Sequence, residues 1–188
     1  MALLAQQPAP PAVRGEWREL PPLPSPVSNQ AVAGVRTGGR TYIFSMMGIG
    51  PRKTWDAITA EAWAFDTKSR EWVLLRSVPG PAGRLAALAA AVGERVYVFG
   101  GYTVDGRGSE LSLGSVDIYD LKAQRWARGA DIPVPVDDSA LGVYRNRYVY
   151  LIGGWSNGDN VRDVQIYDTE KNQWLAGTPI PGTPVFGH

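Results

Sequence analysis

Cysteine is missing altogether from this 188-residue chain, and histidine occurs once, at His188. The first absence removes disulfides, thiolate nucleophiles and cysteine metal sites together. The second leaves none of the histidine clusters that hold copper, zinc or non-haem iron, so neither a metal nor a cofactor is expected. An excess of one charge is also lacking, with 19 Lys and Arg against 18 Asp and Glu. No field of that size recruits nucleic acid or an anionic membrane, and no run of eighteen apolar residues is available to span one. What the chain does hold is 44% hydrophobic residues, 22 Gly, 15 Pro and 7 Trp, enough for a folded core interrupted by many turns.

The turns fall into a pattern that occurs three times. The middle copy reads Val96-Tyr97-Val98-Phe99-Gly100-Gly101, then Asp117-Ile118-Tyr119-Asp120, then Trp126. Downstream come Tyr148-Val149-Tyr150-Leu151-Ile152-Gly153-Gly154, Ile166-Tyr167-Asp168 and Trp174; upstream come Thr41-Tyr42-Ile43-Phe44-Ser45-Met46, Phe65-Asp66 and Trp72. Each Trp follows its Asp by six residues. Self-similarity at about fifty residues marks a stacked or radial architecture, because one unit cannot bury its own faces. The upstream copy departs from the others in having Ser45-Met46 where the glycine pair is expected and Phe65 in place of Tyr.

An apolar strand closed by Gly-Gly, followed by Tyr-Asp and then Trp, resembles the kelch repeat, in which each copy is one four-stranded blade of a β-propeller. The resemblance covers Trp17 to His188 and implies an all-β fold: about three antiparallel four-stranded blades with an orphan strand at each end, an incomplete ring. Blades are expected over about residues 28–75, 84–128 and 138–176, within a propeller unit of 16–188. Residues 1–15 read as a flexible leader or signal remnant, which leaves a periplasmic or secreted location open beside a cytoplasmic one. Rings of this family hold more than three blades, so the resemblance implies either further blades beyond His188 or closure by self-association. Relatives of the galactose oxidase type need a cysteine crosslinked to a tyrosine, which this chain cannot supply.

Alternation and β-branched or aromatic enrichment place four strands in each repeat. The expected inner strands are Gln30–Val35, Leu85–Val92 and Ala140–Tyr144. The alanine run within Leu85–Val92 favours helix, but its position in the repeat argues for a strand. Repeated residues are read as structural: the glycines as sharp exits, Trp72, Trp126 and Trp174 as blade packing, and Asp66, Asp120 and Asp168 as turn caps. The lone Trp17 matches the outer-strand tryptophans, and Pro184 to His188 begins to read as the inner strand of a further blade.

Loop lengths distinguish the two faces. First-to-second links are short and third-to-fourth links are constant, whereas the second-to-third links (Met47 to Ala60, Tyr102 to Gly114, Trp155 to Asp163) differ from one another. Binding residues tend to sit on such loops carried by a rigid scaffold. Ligand-binding candidates are Arg52, Lys53 and Trp55 on the first loop, Asp105 and Arg107 on the second, and Trp155, Asn157 and Asp159 on the third. Asp56, Glu110, Asn160 and Arg162 add to the same mixture of aromatics, charges and amides. Asn29, Arg84 and Asp137 are expected to match one another at the channel mouth, just before the inner strands. No residue is assigned as catalytic. The reading is a non-catalytic binding or scaffold module for a protein or carbohydrate ligand. The alternative is a cofactor-free sugar mutarotase similar to N-acetylneuraminate epimerase, for which Asp137 and Asp138 would be the available carboxylates.

Overall fold

The computed structural model describes residues 15–187 and consists of three four-stranded antiparallel sheets placed side by side. Blade 1 holds β1 (Ala31–Thr37), β2 (Arg40–Met46), β3 (Ala62–Asp66) and β4 (Glu71–Leu74), paired in that order. Blade 2 holds β5 (Leu88–Val92) and β6 (Arg95–Phe99). A protruding hairpin of β7 (Tyr102–Val104) and β8 (Glu110–Ser112) follows, and then β9 (Val116–Asp120) and β10 (Arg125–Arg128) complete the sheet. Blade 3 repeats the plan with β11 (Ala140–Tyr144), β12 (Tyr148–Ile152), a two-residue hairpin of β13 (Trp155–Ser156) and β14 (Asp159–Asn160), β15 (Val164–Asp168) and β16 (Gln173–Ala176). The hairpins occupy stretches that the sequence presents only as loops.

No helix forms over the alanine run. Leu85 bridges to Tyr102, Ala86 turns left-handed at φ 50, and β5 begins only at Leu88. That turn is a repeated device. Asn29 (φ 59), Ala86 (φ 50) and Asp138 (φ 47) all precede an inner strand, and Gly187 (φ 71) follows in series. Their backbones link blade to blade: Ala86 N–H donates to the Asn29 carbonyl at 3.4 Å, Asp138 N–H to Ala86 at 3.3 Å, and Gly187 N–H to Asp138 at 2.9 Å.

This register corrects two alignments made from sequence. Met47 (φ 61) and Gly48 (φ 105) stand where Gly100-Gly101 and Gly153-Gly154 stand, so blade 1 keeps the second glycine, and the pair lies two residues beyond the Ser45-Met46 reading. The glycine-pair amides are the guide, because Gly48, Gly101 and Gly154 donate to the carbonyls of Arg84, Val136 and Val185 respectively. Arg84 therefore matches Val136 and Val185, while Asp137 is the counterpart of Leu85 and not of Asn29 or Arg84.

Two apolar seams hold the blades together. Phe44, Met46, Ala62 and Ala64 of blade 1 meet Val96, Val98 and Tyr119 of blade 2, with Val78 closing the seam. Tyr97, Phe99 and Val116 of blade 2 meet Val149, Leu151 and Tyr167 of blade 3, closed by Ile132 and Val136. Full burial of each large side chain here stabilises by about 1.5–3 kcal/mol. The outer-strand tryptophans fix the spacing. Trp72, Trp126 and Trp174 lie 5.1, 5.1 and 5.0 Å from Phe65, Tyr119 and Tyr167 of their own blades. Each indole N–H reaches back to a carbonyl of the preceding segment, at Pro21, Arg76 and Ala130. Among the described residues, the segments before β1 and after β16 keep this register without forming a strand of their own. Trp17, four residues before Pro21 as Trp72 is before Arg76, is fully exposed.

The three repeated aspartates cap their turns. Asp66 accepts from Lys68 N–H at 2.8 Å, Asp120 from Ala123 at 2.8 Å and Asp168 from Glu170 at 3.1 Å. Each also pairs with an arginine, namely Arg40, Arg95 or Arg147. Backbone donors foremost at Asp66 and Asp120, and the Arg147 guanidinium foremost at Asp168, hold the three carboxyls below the usual range.

Candidate binding face

Antiparallel pairing puts the tight turns at residues 38–39, 93–94 and 145–147 at one end of the blades and the long second-to-third links at the other. The long links also contact the connections between blades, through the bridges Ser28↔Ile49, Leu85↔Tyr102 and Asp137↔Trp155. All of the irregular chain thus collects on one face.

The sequence candidates on this face have separate roles. In the first link, Arg52 pairs with Asp56 at 3.2 Å in solvent and Lys53 (φ 54) donates to Ser28 Oγ. Trp55, on a 3-10 turn, is 54% exposed yet lies across Gly106 of the second link, where an added Cβ would sit 3.3 Å from the indole. Asp105 caps its own hairpin by accepting from Arg107 N–H (2.8 Å) and Ser109 N–H (2.9 Å), which lower its pKa, and the Arg107 side chain is left in solvent. Asp159 accepts from Asn160 N–H at 2.7 Å. Asn29 is a structural cap, its Oδ1 accepting from Ala86 N–H at 3.2 Å.

Arg84 does not join Asp137 at the channel mouth. It is buried and bound to the buried Asp117 carboxylate at 2.7 Å, and Arg128 contacts the same carboxylate at 3.2 Å. Burial pulls the Arg84 guanidinium below its ordinary pKa while Asp117 opposes the shift. This brace ties the lead-in of blade 2 to β9. Removing one partner would strand a buried charge, which costs several kcal/mol.

Three candidates do converge. Asp137, Trp155 and Asn157 line a cleft of about 220 Å³ between the two hairpins, together with Tyr102, Glu110 and Ser112. The hairpins are joined by paired bonds: Ser112 N–H donates to Asn157 Oδ1 at 2.8 Å, and Asn157 N–H to Ser112 Oγ at 3.2 Å. The Ser112 hydroxyl in turn donates to Asp137 Oδ2 at 2.6 Å. Asp137 is 2% exposed. Burial pushes its carboxyl up to about 6, the Ser112 bond works against this, and the charges of Asp138 and Glu110 add to the rise. Tyr102 is shifted up by burial and by Glu110, Asp138 and Asp137. Sequence reading missed Ser112 and Tyr102 as members of the cleft. The available signal was the residue directly after each glycine pair, Tyr102 and Trp155, both of which line the cleft.

A wider cleft of about 560 Å³ lies between blades 1 and 2, lined by Tyr42, Phe44, Ala64, Val73 and Tyr119. It opens where Ala64 stands in the register of Ile118 and Ile166, so a missing side chain accounts for it.

The family model for the KLHDC2/KLHL20/DRC7 Kelch-repeats domain matches residues 12–185. Kelch-like protein terF of Aspergillus terreus is 28% identical over 174 residues, covering 90% of this chain and 37% of the relative. Human Kelch-like protein 34 is 29% identical, covering 92% and 27%, and Beta-scruin of Limulus polyphemus is 26% identical, covering 90% and 19%. The chain thus spans about a third or less of the length of these relatives. The solved structure of YjhT superposes with a TM-score of 0.70 at 20% identity, over 89% of this chain and 56% of that one.

Proposed function

Since this chain belongs to the kelch-repeat family, we propose that it is a non-catalytic protein-binding module whose partner docks on the face of the long second-to-third links. The unit proposed to carry the activity is the propeller arc of residues 16–188, with blades at about 28–75, 84–128 and 138–176; the leader expected over 1–15 lies, but for Gly15, outside the described residues. One observation carries the reading. The turns at one end repeat the same caps and ion pairs in each blade, whereas the links at the other end differ in length, shape and chemistry. A rigid scaffold with one variable rim is the arrangement through which folds acquire specificity. Trp55, Trp155 and Tyr102 supply aromatic surface, and Arg52, Arg107 and Asp159 surround it with charge, a composition suited to a protein interface.

The test is a selection of peptides from a displayed random library on the full chain. Peptides that bind are expected to lose about tenfold or more in affinity when Trp55, Arg107 and Asp159 are all replaced by alanine. They are expected to be indifferent to alanine at Lys68, Lys122 and Lys171 on the capped turns. Peptides that ignore the first set and respond to the second would place binding on the other surface.

One feature supports a second reading, a cofactor-free sugar mutarotase: the buried carboxyl of Asp137, pushed up to about 6, sits close to the pH at which a general base works best. Proton NMR of a pure sialic acid anomer would report it. Accelerated anomer equilibration that is lost in Asp137→Asn supports that reading, and an unchanged rate removes it.

A further inference from the structure

The chain neutralises its buried carboxylates consistently, with one exception. Among the described residues the buried acids are Asp66, Asp117, Asp137 and Asp168. Asp66 is paired with Arg40, Asp117 with Arg84 and Arg128, and Asp168 with Arg147. Asp137 has only the Ser112 hydroxyl, on Oδ2; its Oδ1 meets no donor among the described residues. The fold does not require an acid here, because Leu85 occupies the same place one blade earlier and makes the same bridge, to Tyr102 where Asp137 bridges to Trp155. The residue directly behind it, Asp138, and Glu110 on the rim of the cleft add two more carboxylates, again with no ion pair among the described residues. Two acids and no cation line a cleft of about 220 Å³ whose walls include Tyr102 and Trp155, and Asp138 stands directly behind Asp137.

We propose that the cleft between the β7–β8 and β13–β14 hairpins is a socket for one cationic side chain, lysine or arginine, presented by the docking protein. The inference rests on the reading of this face as a protein-binding surface and adds the chemistry of its anchor. A long cationic side chain has an apolar stem to lay against Trp155 and Tyr102 and a charged head to meet Asp137 and Glu110, so it suits both parts of the wall. The head would supply a charge-assisted donor to the Asp137 oxygen that Ser112 leaves free, and such bonds are stronger than those between neutral groups. A neutral or anionic side chain would leave the Asp137 and Glu110 carboxylates uncompensated. The packing of Trp155 on Phe186 and the Ser112–Asn157 bonds hold the walls in place before binding, which limits the ordering cost.

The test uses the full chain and two small probes, Nα-acetyl-arginine amide and Nα-acetyl-lysine amide, with Nα-acetyl-glutamine amide as the neutral control. The Trp155 indole N–H is followed by proton–nitrogen NMR. A saturable shift is expected with the cationic probes, with a Kd on the order of millimolar for ligands this small, and none with the control. Glu110→Gln and Asp137→Asn are each expected to weaken binding about threefold to tenfold. Lowering the pH from 7.5 to 5 should weaken it on the wild-type chain by a similar factor, as Asp137 takes up a proton beside Tyr102, Glu110 and Asp138. Equal shifts from the neutral probe, no saturable shift, or unchanged affinity in Glu110→Gln together with no pH effect would each overturn the socket. The Glu110 variant and the pH series need no change in the core, so they decide the matter even if Asp137→Asn folds poorly. Cationic probes that bind while selected peptides ignore this face would leave the socket standing and remove the protein-docking reading. Peptides that dock here without any cationic-probe shift would do the reverse.

Discussion

Asp137 and Leu85 hold one position in successive repeats, and the difference between them sets a pH dependence. The folded Asp137 carboxyl is pushed up to about 6 by burial, whereas in the unfolded chain it titrates near the ordinary aspartate value of about 3.9. The folded state therefore binds this proton more tightly. Keeping the group charged costs stability above pH 6, and the cost fades as pH falls through 6 towards 4, below which both states are protonated. Asp137→Asn should stabilise the chain by about 3 kcal/mol at pH 7.5 and leave it nearly unchanged at pH 4, as read by urea unfolding at the two pH values. A difference that grows in acid instead would mean the carboxylate is paired in solution. Glycine supplies a second residue-scale contrast. Gly93 (φ +58) has open space around it, whereas a Cβ on Gly100 (φ +56) would lie 2.1 Å from the Val136 carbonyl. Gly93→Ala should cost only the left-handed penalty of about 1 kcal/mol, and Gly100→Ala about 2–4 kcal/mol by displacing the lead-in of blade 3. Equal losses in chemical denaturation would contradict the close approach.

Among the elements, the strands with a role in every blade could be read from sequence and the hairpins could not. Tyr167-Asp168 and Trp174 recur because one turn, one cross-strand aromatic pair and one indole bond recur, and such constraints repeat at fixed spacing. The β7–β8 and β13–β14 hairpins carry no such constraint. Their pairing depends on contacts across blades, such as Ser112 with Asn157, between residues 45 positions apart. Arg84 was misplaced for the same reason: the sequence shows an arginine before an inner strand, and only the packing shows Asp117 beneath it. The cross-blade bond is itself testable. Ser112→Ala keeps the Ser112 N–H bond but removes the hydroxyl that accepts from Asn157 N–H and donates to Asp137. It should speed amide hydrogen exchange in residues 102–112 by about tenfold while β6 and β9 keep their protection, a cross-blade bond worth about 1–1.5 kcal/mol being lost locally. Exchange that rises equally throughout blade 2 would show that the hairpin and blade open together.

For the whole molecule, the two seams between blades are closed and the outward faces of blades 1 and 3 are not. Val96 and Val149 are buried within seams, whereas Ile43, at the same register on the outer side of blade 1, is half-buried and neighbouring Val32 is 51% exposed. Tyr144 is likewise exposed on blade 3 where its counterpart Val92 is buried. The arc nevertheless keeps its order to both ends of the described chain, since Trp72 bonds Pro21 and Gly154 bonds Val185 as their counterparts do inside it. A shared register around one axis is what brings the hairpins of blades 2 and 3 together and so builds the acidic cleft. Amide-to-amide nuclear Overhauser contacts test that register most directly. Cross-peaks linking the Ala86 amide to Asn29, Asp138 to Ala86 and Gly187 to Asp138 are expected. Their absence, with helical contacts over residues 85–92 in their place, would contradict the arrangement on which the binding face depends.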